Sequence, residues 1–379
     1  MTYKVNHKEL NEMLKEYYKK KLALFVFGTF GIGKSFVVRD TAREIAKERK
    51  RTFIEWNKIT REEKDKVYNN PKDYFVLVDI RLSEFDSTDI KGLPNFNKNN
   101  DEIIDWRIPY WAKFLTLKDS DGILFFDEVN LAPPLVISSV YKIIYDRVVD
   151  DSKIYDNWLI VGAGNLDSDR AFTHTLPAPV RDRGGEAELV VSTIDDWTEW
   201  AIQNDVDSRI VGFANFKPSI LHNVDYNNNQ KFTTTRGLER LSNLIKDLKV
   251  ESKTFELMCC SSIGEGIAKE FIAFCKIKDK MDLDKIIKNP KLIEKITDIS
   301  VKYFLVSAIT EKYKNNKLNF NDIMGISEVL DKINNPEFVA LLWKMCSVYT
   351  SKNNRFKKEF CDYKGNDDLI NKYSNYLLS

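Results

Sequence analysis

The sequence predicts an α/β protein: a parallel five-stranded sheet in its first half, followed by a region made of helices. Two observations carry this. Short apolar runs, LALFVF (22–27), YFVLVDI (74–80), GILFFDE (122–128), NWLIVGAGN (157–165) and EAELVVS (186–192), alternate with helical patterns. Strands apolar along their whole length are buried on both faces, as in parallel sheets whose crossovers are helices. From about Trp197 the rhythm changes: DWTEWAIQ, TTRGLERLSNLIKDL, GEGIAKEFIAFCKI and PEFVALLWKMCSVY repeat their apolar residues every three or four positions, the period of a helix. The shift near Thr193 and a weaker one near Lys253 divide the chain into an α/β core over 1–193, a helical lid over 194–252 and a helical extension over 253–379.

The first strand runs into GTFGIGKS, Gly28 to Ser35, and then into the helical stretch SFVVRDTAREIAKE. This is the P-loop pattern in full. Gly28, Gly31 and Gly33 let the backbone wrap an anion, and the N–H groups opening the next helix point at its charge. Lys34 is placed for the β and γ phosphates and Ser35 for Mg²⁺, while Thr29, Phe30, Ile32 and Phe36 complete the expected nucleotide-contacting segment. The third strand ends in Asp127 and Glu128. Because side chains alternate along a strand, the two carboxylates take separate tasks: Asp127 in the Mg²⁺ shell opposite Ser35, Glu128 on the attacking water. The fourth strand ends in Asn165, whose amide suits the γ-phosphate or that water.

In this order, P-loop, Asp127-Glu128, strand-end Asn165, an arginine-bearing turn and a helical lid, the chain resembles the AAA+ ATPases and, more narrowly, their MoxR-like branch. DIRLSEFDSTDIKGLPNF (79–96) with DWRIPYWAKFL (105–115) is similar to that branch's insert after the second strand, with Asp89, Gly92 and Pro94 in its Asp-x-x-Gly-x-Pro element. THTLPAPVRDR (173–183) resembles the arginine-finger stretch. There the usual Asn-Arg-Phe reads Asp182-Arg183-Gly184, so Arg183 holds the motif register and Arg181 is the alternative finger. FTTTRGLERLSNLI (232–245) resembles the lid and puts Arg236 in the sensor 2 place, with Thr235 where the family often has proline. The loop carries Thr29-Phe30 where the family usually has an early proline, a difference expected in stiffness more than in chemistry. The resemblance spans about residues 20–250. It implies Mg²⁺-dependent ATP hydrolysis in a hexameric ring that remodels a protein partner, with von Willebrand factor A domain proteins as the partner class.

The formal net charge of +1 over 379 residues offers no general attraction to nucleic acid. That weighs against a nucleic-acid motor or loader built on the same core, as Glu128 weighs against a non-hydrolysing ATP-gated scaffold. ATP is the nucleotide the resemblance implies; no guanine-reading motif is visible, but base selection is poorly legible in such sequences and GTP stays open as the alternative. No stretch approaches the roughly 18 apolar residues of a membrane span, and the charged amphipathic start lacks a signal peptide's apolar centre, so a cytoplasmic protein is expected. The five cysteines, Cys259, Cys260, Cys275, Cys346 and Cys361, form no metal-ligand spacing and read as buried free thiols.

Overall fold

The computed structural model describes residues 3–97, 100–169, 174, 182, 184–224, 231–277 and 281–374. They divide into two compact units, Met1–Val191 and Ser192–Ser379. The first unit contains helices α1 (His7–Lys20), α2 (Lys34–Glu48), α3 (Arg61–Asn69), α4 (Ser87–Lys91), α5 (Tyr110–Leu115) and α6 (Pro134–Asp146). Its strands are β1 (Tyr3–Val5), β2 (Ala23–Phe27), β3 (Thr52–Glu55), β4 (Tyr74–Arg81), β5 (Leu93–Asn97), β6 (Asn100–Arg107), β7 (Gly122–Asp127), β8 (Val148–Val149), β9 (Ser152–Lys153), β10 (Trp158–Gly164) and β11 (Gly184–Leu189).

Seven of these strands form one sheet in the order β1-β11-β2-β10-β7-β4-β3, and every neighbouring pair is parallel. The five expected strands are its interior, and the structure adds an edge strand on each side. The sheet is a filled layer between helices. Leu24 and Val26 of β2 pack with Leu10 and Leu14 of α1 and with Val37, Val38 and Ile45 of α2. Ala23 and Phe25 turn to the other face, toward Phe114 of α5 and Val136 and Val140 of α6. This two-sided burial is why the strands read as unbroken apolar runs.

Between β4 and β7, where the resemblance places an insert, lie α4, the antiparallel hairpin β5–β6 and α5, with Leu93 and Trp106 exposed. At the sheet's other end Asp121 is fully buried. It accepts from Tyr18 Oη of α1 at 2.6 Å and pairs with Arg49 at 2.6 Å and Arg51 at 3.4 Å.

The second unit is mostly helical. Phe213, Phe271, Phe274 and Phe304 stack into one cluster, with ring centroids 5.4 to 5.7 Å apart. Trp343 is fully buried and donates to Ser327 Oγ at 2.8 Å. Arg355 ties Glu359, Asn316 and the Leu318 carbonyl together. Of the cysteines, Cys259, Cys275 and Cys346 are buried free thiols. Cys260 is only half-buried and Cys361 is exposed, because it lies on the outer side of the short amphipathic helix Arg355–Asp362, whose core contact is Phe356. Among the described residues no helix is long and apolar enough to cross a membrane.

Phe25 occupies space that two glycines leave open. A Cβ at Gly162 of β10 would lie 2.7 Å from its ring, and one at Gly184 of β11 2.8 Å. Gly162→Ala should therefore destabilise the first unit by about 1–3 kcal/mol through overpacking, read as a lower urea midpoint with an unchanged slope.

Candidate nucleotide site

Parallel strands bring their carboxyl ends to one edge of a sheet, where ligands of such folds are held. Register places them together here: Phe27 pairs with Gly164, Phe126 with Gly162 and Arg81 with Asp127. The loop after β2, the carboxylates ending β7 and the residue after β10 meet at that edge.

The loop's glycines are required for two different reasons. Gly31 and Gly33 have φ of +75° and +100°, which side-chain-bearing residues rarely adopt. A Cβ at Gly28 would lie 2.8 Å from the Leu189 carbonyl oxygen of β11. Gly33 is also the N-cap of α2, so the cap position itself contributes no side chain, and no acidic residue occupies the helix's first turn. The dipole and N–H groups at this end of α2 favour an anion, with no carboxylate of its own first turn to oppose it. Thr29 is buried and donates to Asp169 Oδ1 at 2.8 Å, tying the loop to the segment after β10. Ile32 is buried, while Phe30 and Phe36 are half-buried at the loop's margins.

Lys34 is buried and, among the described residues, donates to the carbonyls of Gly28 at 2.6 Å and Thr29 at 3.0 Å and to Asn165 Oδ1 at 3.1 Å, all neutral oxygens. Phosphate, being anionic, is a stronger partner for an ammonium than any of these. Ser35 Oγ lies 2.8 Å from Asp127 Oδ2, and Asp127 Oδ1 accepts from the Glu128 N–H at 2.9 Å. Both carboxylate oxygens are thereby oriented. Mg²⁺ at a phosphate keeps several waters and takes only one or two protein oxygens, so the converging Ser35 hydroxyl and Asp127 carboxylate form a donor set that fits it. Among the described residues no group of three or more acidic, histidine or cysteine side chains is arranged as a metal cage.

Glu128 sits at φ +57°, uncommon for a residue with a side chain, at the start of a turn closed by Leu131 N–H to Glu128 O at 2.9 Å. Its carboxylate accepts from Ser83 Oγ in the turn after β4.

Four residues that the sequence did not single out shape this edge. Asn130, buried, exchanges two hydrogen bonds with the backbone of Asn165, 2.8 Å to its carbonyl and 3.0 Å from its N–H, and so fixes where Asn165 stands. Asp169 and Ser83 hold Thr29 and Glu128 respectively. Asp79, near the end of β4, carries a third carboxylate, whose Oδ1 is buried and makes no hydrogen bond among the described residues. Burial, reinforced by the charge of Asp127, pushes its carboxyl up to about 6. Asn130 alone carries a sequence signal, and a weak one, as a polar residue two positions after the Asp127-Glu128 pair.

Arg181 and Arg183 lie outside the described residues. Arg236 is exposed in the first turn of the second unit's helix Thr235–Ile245. A cavity of about 850 Å³ in that unit is lined by charges that already neutralise one another. Asp205 pairs with Lys246 at 2.8 Å and Lys314 at 2.7 Å, and Asp207 with Arg209 at 2.6 Å.

No protein-family model and no curated protein matches this sequence. Among solved structures the chain is similar to a RuvB point mutant from Thermotoga maritima, with 15% identity over 94% of this chain and 86% of that one and a TM-score of 0.29. It is similar to the Aeropyrum pernix ORC2 protein in ADPNP–ADP complexes, at 10% identity, 100% and 95% coverage and a TM-score of 0.31. It is also similar to NtrX from Brucella abortus in complex with ADP, at 12% identity, 97% and 68% coverage and a TM-score of 0.33. Similarity this loose says nothing about substrate or partner.

The Asp79 carboxyl is neutral in the folded chain up to about pH 6 and ionises near the ordinary 3.8 when unfolded. The stability held by its neutral form is complete below 3.8 and is lost as pH rises through 6. Asp79→Asn should therefore stabilise the ligand-free protein by about 1–3 kcal/mol at pH 8. The gain should shrink steadily as pH is lowered toward 4, measured by urea unfolding at each pH.

Proposed function

We propose that the chain is a Mg²⁺-dependent ATP hydrolase of the AAA+ type, of the MoxR-like branch its motifs resemble, working as a homo-oligomeric ring on a protein partner. The observation that carries this reading is the meeting of Ser35 and Asp127, 92 residues apart in sequence and 2.8 Å apart in space, beside a buried lysine on the same loop. A hydroxyl, a carboxylate and an ammonium assembled at the N-terminus of a helix serve phosphate and a hard cation together.

Phosphoryl transfer asks a protein for positioning and charge more than for covalent chemistry. Ser35 and Asp127 would hold Mg²⁺, whose charge would offset that of the phosphates. Lys34 exchanges its neutral acceptors for phosphate oxygens. Glu128 takes the proton of the water that attacks the γ-phosphorus as the bond to the β–γ bridging oxygen breaks, and Asn165, fixed by Asn130, orients that water or the γ-phosphate. Arg183, or Arg181 in its place, supplies the cation that stabilises transition-state charge on a neighbouring subunit's nucleotide. Arg236 takes the sensor 2 role within a lid over 194–252, followed by the extension 253–379. The sequence resemblance supports a hexamer and a von Willebrand factor A domain protein as the partner to test first.

Lys34→Ala should abolish tight ATP binding. Glu128→Gln should keep it and lose at least about 100-fold in turnover, since one residue holds phosphate and the other acts on water. Turnover near wild type in Glu128→Gln removes that residue from the reaction. Arg183→Ala should bind ATP normally and hydrolyse it about 10³-fold more slowly. Mixing it with Lys34→Ala under subunit exchange should restore activity, because one interface then pairs an intact loop with an intact arginine. A mixture no more active than its parts rules out Arg183 acting between subunits.

A further inference from the structure

The residue that opens α1 touches the phosphate-binding loop from outside it. His7 Nε2 lies 2.7 Å from the Ile32 carbonyl oxygen. A carbonyl only accepts, so Nε2 is the nitrogen that carries the hydrogen. The imidazole also packs against the next residue: a Cβ on Gly33 would lie 3.3 Å from the same Nε2.

The peptide joining Ile32 to Gly33 is the one most in need of an external hold. Glycines stand on both sides of Ile32, both at positive φ, and glycine moves between backbone wells with little steric cost. A trans peptide points its C=O and N–H in opposite directions. A carbonyl engaged by His7 therefore turns the Gly33 N–H away from the imidazole, and rotation of that peptide would break the His7 bond.

His7 is itself delivered rigidly. Val5, two residues earlier, is buried in β1, paired with Leu189 of β11, and its carbonyl accepts from Val190 N–H at 3.0 Å. Asn6 and Glu9 form a capping box at the start of α1, with bonds of 2.8 and 2.9 Å. Along its length α1 is strapped to α2 by Asn11 to Glu44 at 3.1 Å and by Lys15 to Glu44 and Glu48 at 2.7 and 2.9 Å. Its far end is tied to Asp121 through Tyr18.

We propose that His7 is a positioning residue for nucleotide: its Nε2–H clamps the Ile32–Gly33 peptide in the orientation that presents the Gly33 N–H to phosphate. The inference rests on the nucleotide reading above. It makes β1 and the start of α1 part of the binding apparatus and not only an edge of the sheet.

The test is equilibrium binding of a fluorescent N-methylanthraniloyl-ATP with Mg²⁺ to the full chain, alongside steady-state hydrolysis and urea unfolding. His7→Leu keeps bulk and loses the donor, and should weaken binding about tenfold. Turnover at saturating nucleotide should stay within about twofold, since the loss falls on binding and not on the water-activating groups. His7→Gln, whose carboxamide still donates, should recover most of the affinity. Wild-type affinity in a folded His7→Leu overturns the proposal, and so does equal weakening in His7→Leu and His7→Gln. If His7→Leu does not fold, His7→Ala with and without free imidazole decides: recovery with imidazole supports the clamp, and full affinity without it overturns it. A wild type that binds no nucleotide at all defeats the nucleotide reading itself, an outcome separable from these, in which wild type binds.

Discussion

The described groups of the first unit that are assigned a chemical task depend on one constraint, the common direction and fixed register of β2, β4, β7 and β10. Their carboxyl ends come out at one edge only because all run parallel, and they come out level because Phe27 pairs with Gly164 and Arg81 with Asp127. A slip of one residue in β7 would turn Asp127 to the opposite face and part it from Ser35. The register is locked by packing on both faces, by Leu24 and Val26 on one side and Phe25 on the other.

That edge gathers an ammonium and several carboxylates. Lys34 is occupied by loop carbonyls and Asn165, while Asp127 is occupied by Ser35 and the Glu128 N–H. Burial drives the Asp79 carboxyl up, and the nearby charge of Asp127 adds to it. A divalent cation lowers that cost for the carboxylates, and a phosphate offers the ammonium a charged partner. The backbone is held in the same spirit. Thr29 is tied to Asp169, Ile32 to His7 and Asn165 to Asn130, so three segments from distant parts of the chain are fixed before a ligand arrives. A loop with Thr29-Phe30 in place of an early proline takes its stiffness from such outside contacts.

The interior of the sheet was legible because it is buried on two sides, which writes unbroken apolar runs into the sequence. The edge strands were not. Tyr3–Val5 has three residues in a polar context, and Thr52–Glu55 is only half covered, so neither produces such a run. In the site, the glycines, Lys34, Ser35, Asp127 and Glu128 announce themselves because their spacing is local. Asn130, Asp169, Ser83 and His7 do not, since each acts across a separation that only folding closes: 35 residues from Asn130 to Asn165, 140 from Thr29 to Asp169, 45 from Ser83 to Glu128 and 25 from His7 to Ile32. Reading all cysteines as buried failed at Cys361 for the converse reason, that a short amphipathic helix buries one face only.

The central claim is that Ser35, Asp127 and Lys34 assemble a site at which a nucleoside triphosphate is hydrolysed with Mg²⁺. Steady-state phosphate release from ATP by the purified wild-type chain, with and without chelation of Mg²⁺, tests it most directly. Release far exceeding one phosphate per chain is expected, abolished by the chelator and restored by added Mg²⁺. Release that stops at or below one per chain, or that continues unchanged when Mg²⁺ is removed, would contradict it.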